Sequence, residues 1–420
     1  MITPFERLVE YAVPPKSNYR CLELSPDGSL FAAVTVSGIQ ILSVCPTVRI
    51  LASIPQNRPA GYSKALLNRI FLLWRNNSRE FIVVRSEGVV DFYRLTVDYH
   101  SLEDVCEDSS SPIFYVSAKI NKSGSFNIDQ YGYPLSACLL SDSIYIVFDS
   151  GSIAELNWNG NILACPLHRF IPESFLSDGY SLQRRHAVSI SSISELCIIT
   201  LALDDGSCFL LEIPPSSRLP VRALRFHVNT EDGVRLVTFC PGLPLLAVTS
   251  SHLSVAIYRI KRDTDWFSAD LITTIDIRQY PQLSLSPLYS YDTILCVKWC
   301  PGNPILALGM KYQGIMVWDI RGNMLFSYCG PSLPILDQES GELGHEVSCC
   351  CFNMQGTALL FNIPYEQVIH GVNNEVFVRE SRLLCQRFVV TPDYLTATFF
   401  PLFDYHLVRA ALALGILVRS

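Results

Sequence analysis

The feature that most constrains the fold is a repeated order of short strands and turns. Its clearest copy begins with "TILCVKW" (293–299), which alternates apolar and polar residues, and continues through the turn "CPGNP" into the apolar run "ILALGM" (305–310). A second turn closed by Gly314 leads to "IMVWDI" (315–320). Strands of five to seven residues between turns rich in Pro and Gly are typical of all-β proteins. This segment therefore predicts one antiparallel sheet.

The same order recurs along most of the chain. Six further copies occupy residues 21–44, 65–95, 135–158, 187–213, 233–260 and 344–363, the last followed by a strand candidate at 374–384. The spacing from turn to turn is roughly 47 to 65 residues, longer than the usual 40–45 of tryptophan–aspartate repeats. Polar inserts such as 107–112 and 337–342 account for the excess, because surface loops tolerate insertion.

About seven such units favour one ring-shaped domain. A single unit has an apolar face that it cannot bury alone, and radial packing of neighbours buries that face while leaving only short sheet edges. The sequence predicts an all-β, seven-bladed propeller with degenerate repeats over residues 1–384 and a short tail over 385–420. A linear array of sandwiches is the rival architecture, although no unit shows caps or linkers of its own. In the tail, the apolar stretch 402–418 favours a packed or amphipathic helix over a membrane span, because charged residues interrupt it.

Composition limits the function classes. Of the 420 residues, 49% are hydrophobic and 17% are charged, which supports a large core. The net charge of −7 disfavours general binding to nucleic-acid phosphates. The amino-terminal residues lack the basic and apolar parts of a secretion signal. The fifteen cysteines are therefore expected to be thiols in a reducing compartment, and the chain is expected to be cytoplasmic.

One cluster has the residue types of a metal site. His345, Cys349, Cys350 and Cys351 place four possible ligands within seven residues. Adjacent residues of a strand point to opposite faces, so Cys350 cannot share a face with its two neighbours, and no second Cys pair completes a zinc site. Buried thiols beside a turn histidine are the preferred interpretation, and Cys296 and Cys300 beside Trp299 are interpreted in the same way. No metal or cofactor is predicted.

Motifs for catalysis are weak. The sequence contains no phosphate-binding loop, no dinucleotide fingerprint and no GxSxG elbow. His186 could serve as a base, but its spacing ties it to no acid or nucleophile, so an exposed turn histidine is the preferred interpretation. The acidic pairs Asp204-Asp205 and Glu231-Asp232 are interpreted as solvated loop tips. The sequence predicts no catalytic residues and leaves the binding residues unknown.

Two basic clusters, "SLQRRH" (181–186) and "YRIKRD" (258–263), are predicted to lie in loops between strands. Each could contact anionic lipid or an acidic partner. Each holds too few charges for membrane binding by itself, so solvated surface is the preferred interpretation of both.

Two short motifs resemble the WD40 family of repeats. Trp318-Asp319 is followed by "IRG", as at the end of such a repeat, and Gly344-His345 opens the last unit, as at its beginning. Aromatic rings at such positions pack between sheets, and Asp or His side chains bind backbone groups of the turns. The other units lack both motifs, so the role predicted for Trp318-Asp319 is architectural.

A closer resemblance covers residues 18–384. The chain resembles the amino-terminal propeller of the Ric-one family, the large subunit of the Golgi Rab exchange complex. Four blocks carry the resemblance in the order and approximate spacing of that family: 139–160, 292–330, 347–361 and 373–383. That family continues for many hundred residues beyond this region, and the tail at 391–420 does not resemble the continuation.

The resemblance implies a function and partners. With an Rgp-one-like subunit, the family promotes nucleotide release from a Golgi Rab GTPase of the Rab-six type and supports retrograde transport. It implies a cytoplasmic, non-enzymatic regulatory subunit that is peripheral at Golgi membranes and has no cofactor or transmembrane segment. A WD40-like adaptor of another cytosolic complex is the alternative, and a propeller enzyme is disfavoured. A short chain that lacks the exchange surface would act as a scaffold.

Overall fold

A computed structural model shows the arrangement of the repeats. It describes residues 2–4, 9–10, 19–35, 37–43, 49–55, 70–101, 114–176, 180–183, 185–228, 233–250, 253–262, 267–279, 292–328, 346–370 and 375–390. These residues form seven antiparallel sheets.

The first two strands of the chain belong to the last sheet, and the next three sheets follow in sequence order. Their bounds are β1 (Ile2–Pro4) and β2 (Val9–Glu10); in blade one, β3 (Tyr19–Leu24), β4 (Phe31–Thr35), β5 (Gly38–Ser43) and β6 (Arg49–Pro55); in blade two, β7 (Ile70–Trp74), β8 (Glu80–Arg85), β9 (Val89–Ser101) and β10 (Phe114–Asn127); and in blade three, β11 (Pro134–Leu140), β12 (Ser143–Phe148), β13 (Ser152–Leu156) and β14 (Ile162–Pro166).

A short helix, α1 (Leu167–Phe170), follows blade three. The remaining bounds are, in blade four, β15 (Ala187–Ile193), β16 (Ile198–Leu203), β17 (Ser207–Glu212) and β18 (Arg222–His227); in blade five, β19 (Val234–Phe239), β20 (Leu245–Ser250), β21 (Ser254–Arg262) and β22 (Phe267–Asp276); in blade six, β23 (Ile294–Trp299), β24 (Ile305–Met310), β25 (Ile315–Asp319) and β26 (Met324–Tyr328); and in blade seven, β27 (Cys350–Phe352), β28 (Ala358–His370) and β29 (Glu375–Val390).

The sheets form a closed ring. The first strand of each blade contacts the first strand of the next, and β27 of blade seven contacts β3 of blade one. These seven strands therefore surround a central channel, and the later strands of each blade lie progressively further from it. The predicted seven-bladed β-propeller is confirmed, and the segment with Trp318-Asp319 is its sixth blade.

The two ends of the described chain meet in blade seven. β1 pairs with the carboxyl end of β29, with Ile2 opposite Val390, and β2 continues along the same strand, with Val9 opposite Cys385. The amino-terminal residues thus supply the outer strand that the carboxyl-terminal blade lacks. These two strands have no recognisable sequence signal, because they span only three and two residues.

The hydrophobic core lies between blades. All residues of β16, β20, β24 and β25 are buried, since a middle strand has a blade on each side. Outer strands such as β18 are only half-buried. The turns between middle strands use glycines at positive φ, for example Gly206 at 84° and Gly314 at 76°. A side chain with a Cβ would be strained at these positions.

Three details depart from the predictions. Tyr258–Arg262 lie within β21 rather than in a loop, because this strand is longer than its counterparts in the neighbouring blades. β29 continues beyond residue 384, where the predicted propeller ended, to Val390. The outer strands of blades one to six were not identified as strands from the sequence.

Some predictions fall on residues that the structure does not describe. These are the inserts 107–112 and 337–342, the pair Glu231-Asp232, the motif Gly344-His345 and the helix expected within 402–418. Among the described residues, no helix combines the length and the apolar character needed to cross a bilayer.

Candidate functional site: the turn ring and the central channel

One face of the propeller carries the seven turns that join the first and second strands of the blades. We call these turns the turn ring; they comprise residues 25–30, 75–79, 141–142, 194–197, 240–244, 300–304 and 353–357. Because the first strands line the channel, the turn ring surrounds one mouth of it.

Ion pairs connect the turns of blades two and three. The Arg75 guanidinium donates to both carboxylate oxygens of Asp142, at 2.8 and 2.7 Å, and to Glu80 at 2.7 Å. It also lies over the ring of Trp158, 5.2 Å from the centroid. Arg94 binds the second oxygen of Glu80 at 2.7 Å. A bidentate guanidinium–carboxylate pair fixes the relative orientation of two blades better than a single contact does.

Shorter links connect other neighbouring turns. The Asp27 N–H donates to Ser78 Oγ at 3.0 Å between blades one and two. Gly302 N–H donates to the Pro241 carbonyl at 2.9 Å between blades five and six. Gly28 of blade one lies against Met354 of blade seven, where an added Cβ would be 2.6 Å from the Met354 Cβ. The turn ring is therefore largely preorganised by its own contacts, which reduces the entropy lost when a partner binds.

Among the described residues, each face of the propeller has one exposed large apolar side chain near the inner ends of the blades. Met354, 52% exposed, lies in the turn ring. Tyr133, 49% exposed, precedes β11 and so lies on the opposite face. Both side chains are available to a partner, and together they give a matched pair for deciding which face binds.

An ion pair crosses the channel. Lys298 of β23 contacts Glu23 of β3, although blade seven separates blades six and one around the ring. The two side chains can meet only across the channel, where Lys298 and Glu23 remain 31% and 27% exposed. Burial by itself lowers the pKa of Lys298, but the Glu23 carboxylate outweighs it and the pKa is raised above its ordinary value. Lys298 is thus a fixed positive charge beside a carboxylate.

Thiols surround this pair. Burial, with a smaller contribution from Glu23, raises the pKa of Cys21 and of Cys351 to about 12. Both thiols are therefore protonated at neutral pH and act as small apolar groups. The channel at this level combines one ion pair with protonated thiols, and this environment can accept a charged group.

A second charged cluster lies within blade two. The Asp91 carboxylate is 2.5 Å from Arg85, 2.6 Å from Lys122 and 2.7 Å from the Ser125 hydroxyl. Burial would raise the pKa of Asp91, but the bonds from Lys122 and Ser125 and the charge of Arg85 hold it below its ordinary value. All four residues belong to β8, β9 and β10, so the cluster stabilises one sheet.

A buried carboxylate in blade six organises a turn. Asp292 Oδ1 accepts from the backbone N–H groups of Thr293, at 2.8 Å, and Tyr312, at 3.0 Å. Among the described residues, Asp292 Oδ2 and both amide atoms of Gln313 have no hydrogen-bond partner within the usual distance. Burial raises the pKa of Asp292 despite the backbone donors. This site joins the start of β23 to the turn before β25.

The structure separates the candidate metal ligands. Cys349 and Cys351 pack between blades seven and one, whereas Cys350 packs between blades six and seven. The alternation predicted for this strand is therefore confirmed. His345 lies outside the described residues. Within the described ranges, no three His, Cys, Asp or Glu side chains converge as a metal site would require.

The other polar candidates serve local structure. His186 is exposed, as predicted. Asp205 is not a solvated loop tip: it accepts from the Tyr180 hydroxyl at 2.9 Å and the Ser207 N–H at 2.9 Å, and it pairs with Arg185 at 3.3 Å. Asp204 is exposed, in agreement with the prediction. Asp205 thus anchors the basic cluster 181–186 to the turn before β17.

The second basic cluster is also paired. Lys261 contacts the Asp270 carboxylate, and Arg259 lies 4.0 Å from the same group. Both lie on β21 beside β22, so their charges are partly neutralised by the neighbouring strand. Of the described basic residues in the two clusters, Arg185, Arg259 and Lys261 each lie beside a carboxylate.

The tryptophan–aspartate pair has the architectural role predicted for it. Trp318 is fully buried in the core between blades five and six. Asp319 Oδ1 accepts from the N–H groups of Arg321 and Asn323, each at 2.8 Å, and so closes the turn that leads to β26.

Comparison with known proteins supports the fold. No protein-family model matches the chain, and no curated protein matches it in sequence. Among solved structures, the chain is similar to the Cps50 (Swd1) β-propeller domain of Myceliophteria thermophila, with a TM-score of 0.58 and 10% identity over 92% of this chain and 99% of that one. It is similar to the WD40 repeats of RRP9, with a TM-score of 0.56 and 12% identity over 92% and 99% of the two chains.

A third similar structure is Raptor of Chaetomium thermophilum. Its TM-score is 0.59 at 13% identity, and the match covers 93% of this chain and 30% of that one. At such low identities, the similarity establishes architecture and does not establish activity. The chain therefore has the fold of a seven-bladed β-propeller, which it shares with these structures.

Proposed function

We propose that this chain is a partner-binding scaffold and, more specifically, a Ric-one-like propeller subunit that acts with an Rgp-one-like partner in nucleotide exchange on a Golgi Rab GTPase of the Rab-six type. Its place would be the cytoplasmic side of Golgi membranes, in retrograde endosome-to-Golgi and intra-Golgi transport. The observation that carries the scaffold proposal is the preorganised turn ring, which presents the exposed Met354 at the seam between blades seven and one.

The more specific part of the proposal depends on the sequence blocks. The blocks 139–160, 292–330 and 347–361 correspond mainly to blades three, six and seven of the propeller. They carry strands and turns and no catalytic motif. An exchange factor suits such a chain, because it acts by binding the nucleotide-free GTPase more tightly than the loaded form, and this requires a surface and no catalytic constellation.

A direct test uses the purified full chain. It is immobilised and mixed with an Rgp-one-like subunit and with the Rab GTPase in its nucleotide-free and GDP-loaded forms. The proposal predicts retention of the subunit and preferential retention of the nucleotide-free GTPase. It also predicts that chain and subunit together accelerate release of a fluorescent GDP analogue from the GTPase.

The alternative function is a WD40-like scaffold in another cytosolic complex. Retention of neither the subunit nor the GTPase would reject the exchange proposal and leave this alternative. Retention of the subunit without acceleration of GDP release would limit this chain to assembly, with exchange residing elsewhere in the complex. An unrelated propeller domain of similar size serves as the control for non-specific retention.

The turn-ring face is the predicted binding face. Met354→Asp places a charge at the exposed seam, and we expect it to weaken partner binding by at least tenfold, because burial of a charge at the centre of an interface is costly. Tyr133→Asp is the matched control, since it makes an equally exposed apolar side chain acidic on the opposite face. Isothermal titration with the retained partner measures both. A larger effect of Tyr133→Asp would assign binding to the opposite face.

A further inference from the structure

Two thiols meet at the seam between blades six and seven. Cys296 lies on β23 and Cys350 lies on β27, the neighbouring first strands of these blades. Their sulfur atoms are 3.7 Å apart, and the Cys296 sulfur is also 3.7 Å from the carbonyl oxygen of Val347. The separation corresponds to direct contact between two thiols. They are far apart in sequence, so only the closed ring brings them together.

The neighbouring strand leaves room for this contact. Gly309 of β24 is paired with Cys296, and a Cβ at position 309 would overlap the Cys296 sulfur and lie 2.5 Å from the Val347 oxygen. Glycine is otherwise unfavourable inside a strand, because it loses more backbone entropy than other residues and has no side chain to pack. Its presence here gives the Cys296 sulfur space beside blade seven.

The two thiols differ in accessibility. Cys296 is partly exposed, whereas Cys350 is fully buried. Contact with the Cys296 thiol, together with burial, raises the pKa of Cys350 well above its ordinary value. Cys350 is therefore a buried, protonated thiol in contact with a more accessible one. Cys296 is the group that a small oxidant meets first.

We propose that Cys296 and Cys350 form an oxidisable dithiol that a peroxide converts into a disulfide between blades six and seven. In the first step, the Cys296 sulfur attacks the peroxide O–O bond, giving a sulfenic acid and, from hydrogen peroxide, one water. In the second step, the Cys350 sulfur attacks the sulfenic sulfur, the S–O bond breaks, and the hydroxide leaves with the thiol proton as a second water. Two thiols and one hydrogen peroxide thus give one disulfide and two waters.

The bond requires the two sulfur atoms to approach each other. A disulfide has a sulfur–sulfur distance of about 2.05 Å, so the sulfurs of Cys296 and Cys350, now 3.7 Å apart, must move closer by rotation of their side chains. The bond would join blade six to blade seven, the blade in which the two ends of the described chain meet. In a reducing compartment such a bond is transient and reports the redox state. Its formation would hold the seam closed while the oxidant persists.

The test treats the purified full chain with hydrogen peroxide, blocks remaining thiols, digests without reductant and maps the cross-linked peptides by fragmentation mass spectrometry. The expected result is a peptide pair joined through Cys296 and Cys350 that dithiothreitol separates. Because Cys349 and Cys351 flank Cys350, the double variant Cys349→Ser/Cys351→Ser is included, and the link should persist in it. The oxidised protein should melt at a higher temperature than the reduced protein.

Matched variants make the result decisive. Cys296→Ser and Cys350→Ser should each abolish the link and the rise in melting temperature, whereas Cys165→Ser, which removes another partly exposed thiol, should leave both unchanged. If a serine variant fails to fold, Cys296→Ala with an intact melting transition replaces it. Recovery of Cys296 only as sulfinic acid, or a disulfide from Cys296 to any other cysteine, would overturn the proposal.

Discussion

Blades six and seven have the same sheet order but are assembled from different parts of the chain. Blade six consists of one continuous segment, Ile294–Tyr328, in which short turns join four strands. Blade seven combines three carboxyl-terminal strands with β1 and β2 from the other end of the chain. Blade six depends on contacts between residues that are close in sequence. Blade seven depends on the pairing of residues that are more than 370 positions apart.

This difference indicates which blades can form from contacts between residues that are close in sequence. Loop closure between distant segments costs entropy before any contact compensates for it, so non-local pairing forms late. Blade six can form its hairpins first, while blade seven becomes complete only when the ring closes. The comparison therefore predicts that changes in blade seven lower the free energy of unfolding of the whole ring the most. Changes in blade six should have smaller effects.

The largest decrease in the free energy of unfolding is expected from removal of residues 1–10. β29 would lose its pairing at three positions with β1 and at two with β2. At roughly 1 kcal/mol for each backbone hydrogen bond, the free energy of unfolding should fall by about 5 kcal/mol. Urea unfolding followed by circular dichroism measures the change. A peptide of residues 1–12 added in excess should restore part of the loss, and an unchanged midpoint in the shortened chain would contradict closure through blade seven.

The next largest decrease in the free energy of unfolding is expected from a substitution in the core of blade six. Trp318→Ala removes a fully buried indole from the core between blades five and six, which should cost about 3–5 kcal/mol of unfolding free energy. Trp318→Phe keeps an aromatic ring and serves as the control, with a smaller loss expected. Denaturant unfolding of both variants measures the difference. If Trp318→Ala lost less unfolding free energy than Trp318→Phe, Trp318 would not be the main packing residue of this blade.

A smaller change in stability is expected when the ion pair between Glu23 and Lys298 is removed, the contact that joins blades one and six without blade seven. Glu23→Gln, Lys298→Met and the double variant form a thermodynamic cycle for the ion pair across the channel. Because both side chains are partly exposed, we expect a coupling energy of about 1 kcal/mol, and less at high salt. Thermal unfolding at two ionic strengths measures it. Additive losses in the double variant would mean that blades six and one are coupled only through blade seven.

The smallest change in stability is expected from Asp292 in blade six, and it depends on pH. Burial raises the pKa of this carboxyl, so the folded protein retains the proton to higher pH than the unfolded chain. The stabilisation from protonation is complete below the unfolded pKa of about 3.9 and is lost as the pH rises through the folded pKa. Asp292→Asn keeps an oxygen acceptor for Thr293 and Tyr312 and removes the charge.

This variant should therefore be more stable than the wild type at pH 7, by about 1 kcal/mol or less, and equal to it near pH 3. Thermal melts between pH 3 and pH 8 measure the difference between the two proteins. Lower stability of Asp292→Asn throughout that range would show that the ionised carboxylate stabilises the turn.

Much of the propeller could be predicted from the sequence, since inner and middle strands carry a local signal. The strands of blade six begin and end within a residue of their predicted bounds. The signal fails for strands such as β18, whose half-buried residues follow no clear apolar pattern. It also failed for Asp205, because a turn aspartate that contacts Tyr180 and Arg185 has the same local sequence as a solvated one.

The candidate site was less predictable than the fold. The exposure of Met354 depends on how blade seven meets blade one, and Glu23 and Lys298 have no sequence relation that would pair them. A search for charges spaced within one segment cannot find a pair that is 275 residues apart.

By itself, the sequence determined seven apolar strand units and the architectural role of Trp318-Asp319, because periodicity and turn chemistry act over a few residues. Only the tertiary structure decided that the amino-terminal strands complete blade seven, that Glu23 meets Lys298 across the channel, and that Cys296 touches Cys350. The physical reason is that these contacts join distant segments and exist only once the ring has closed.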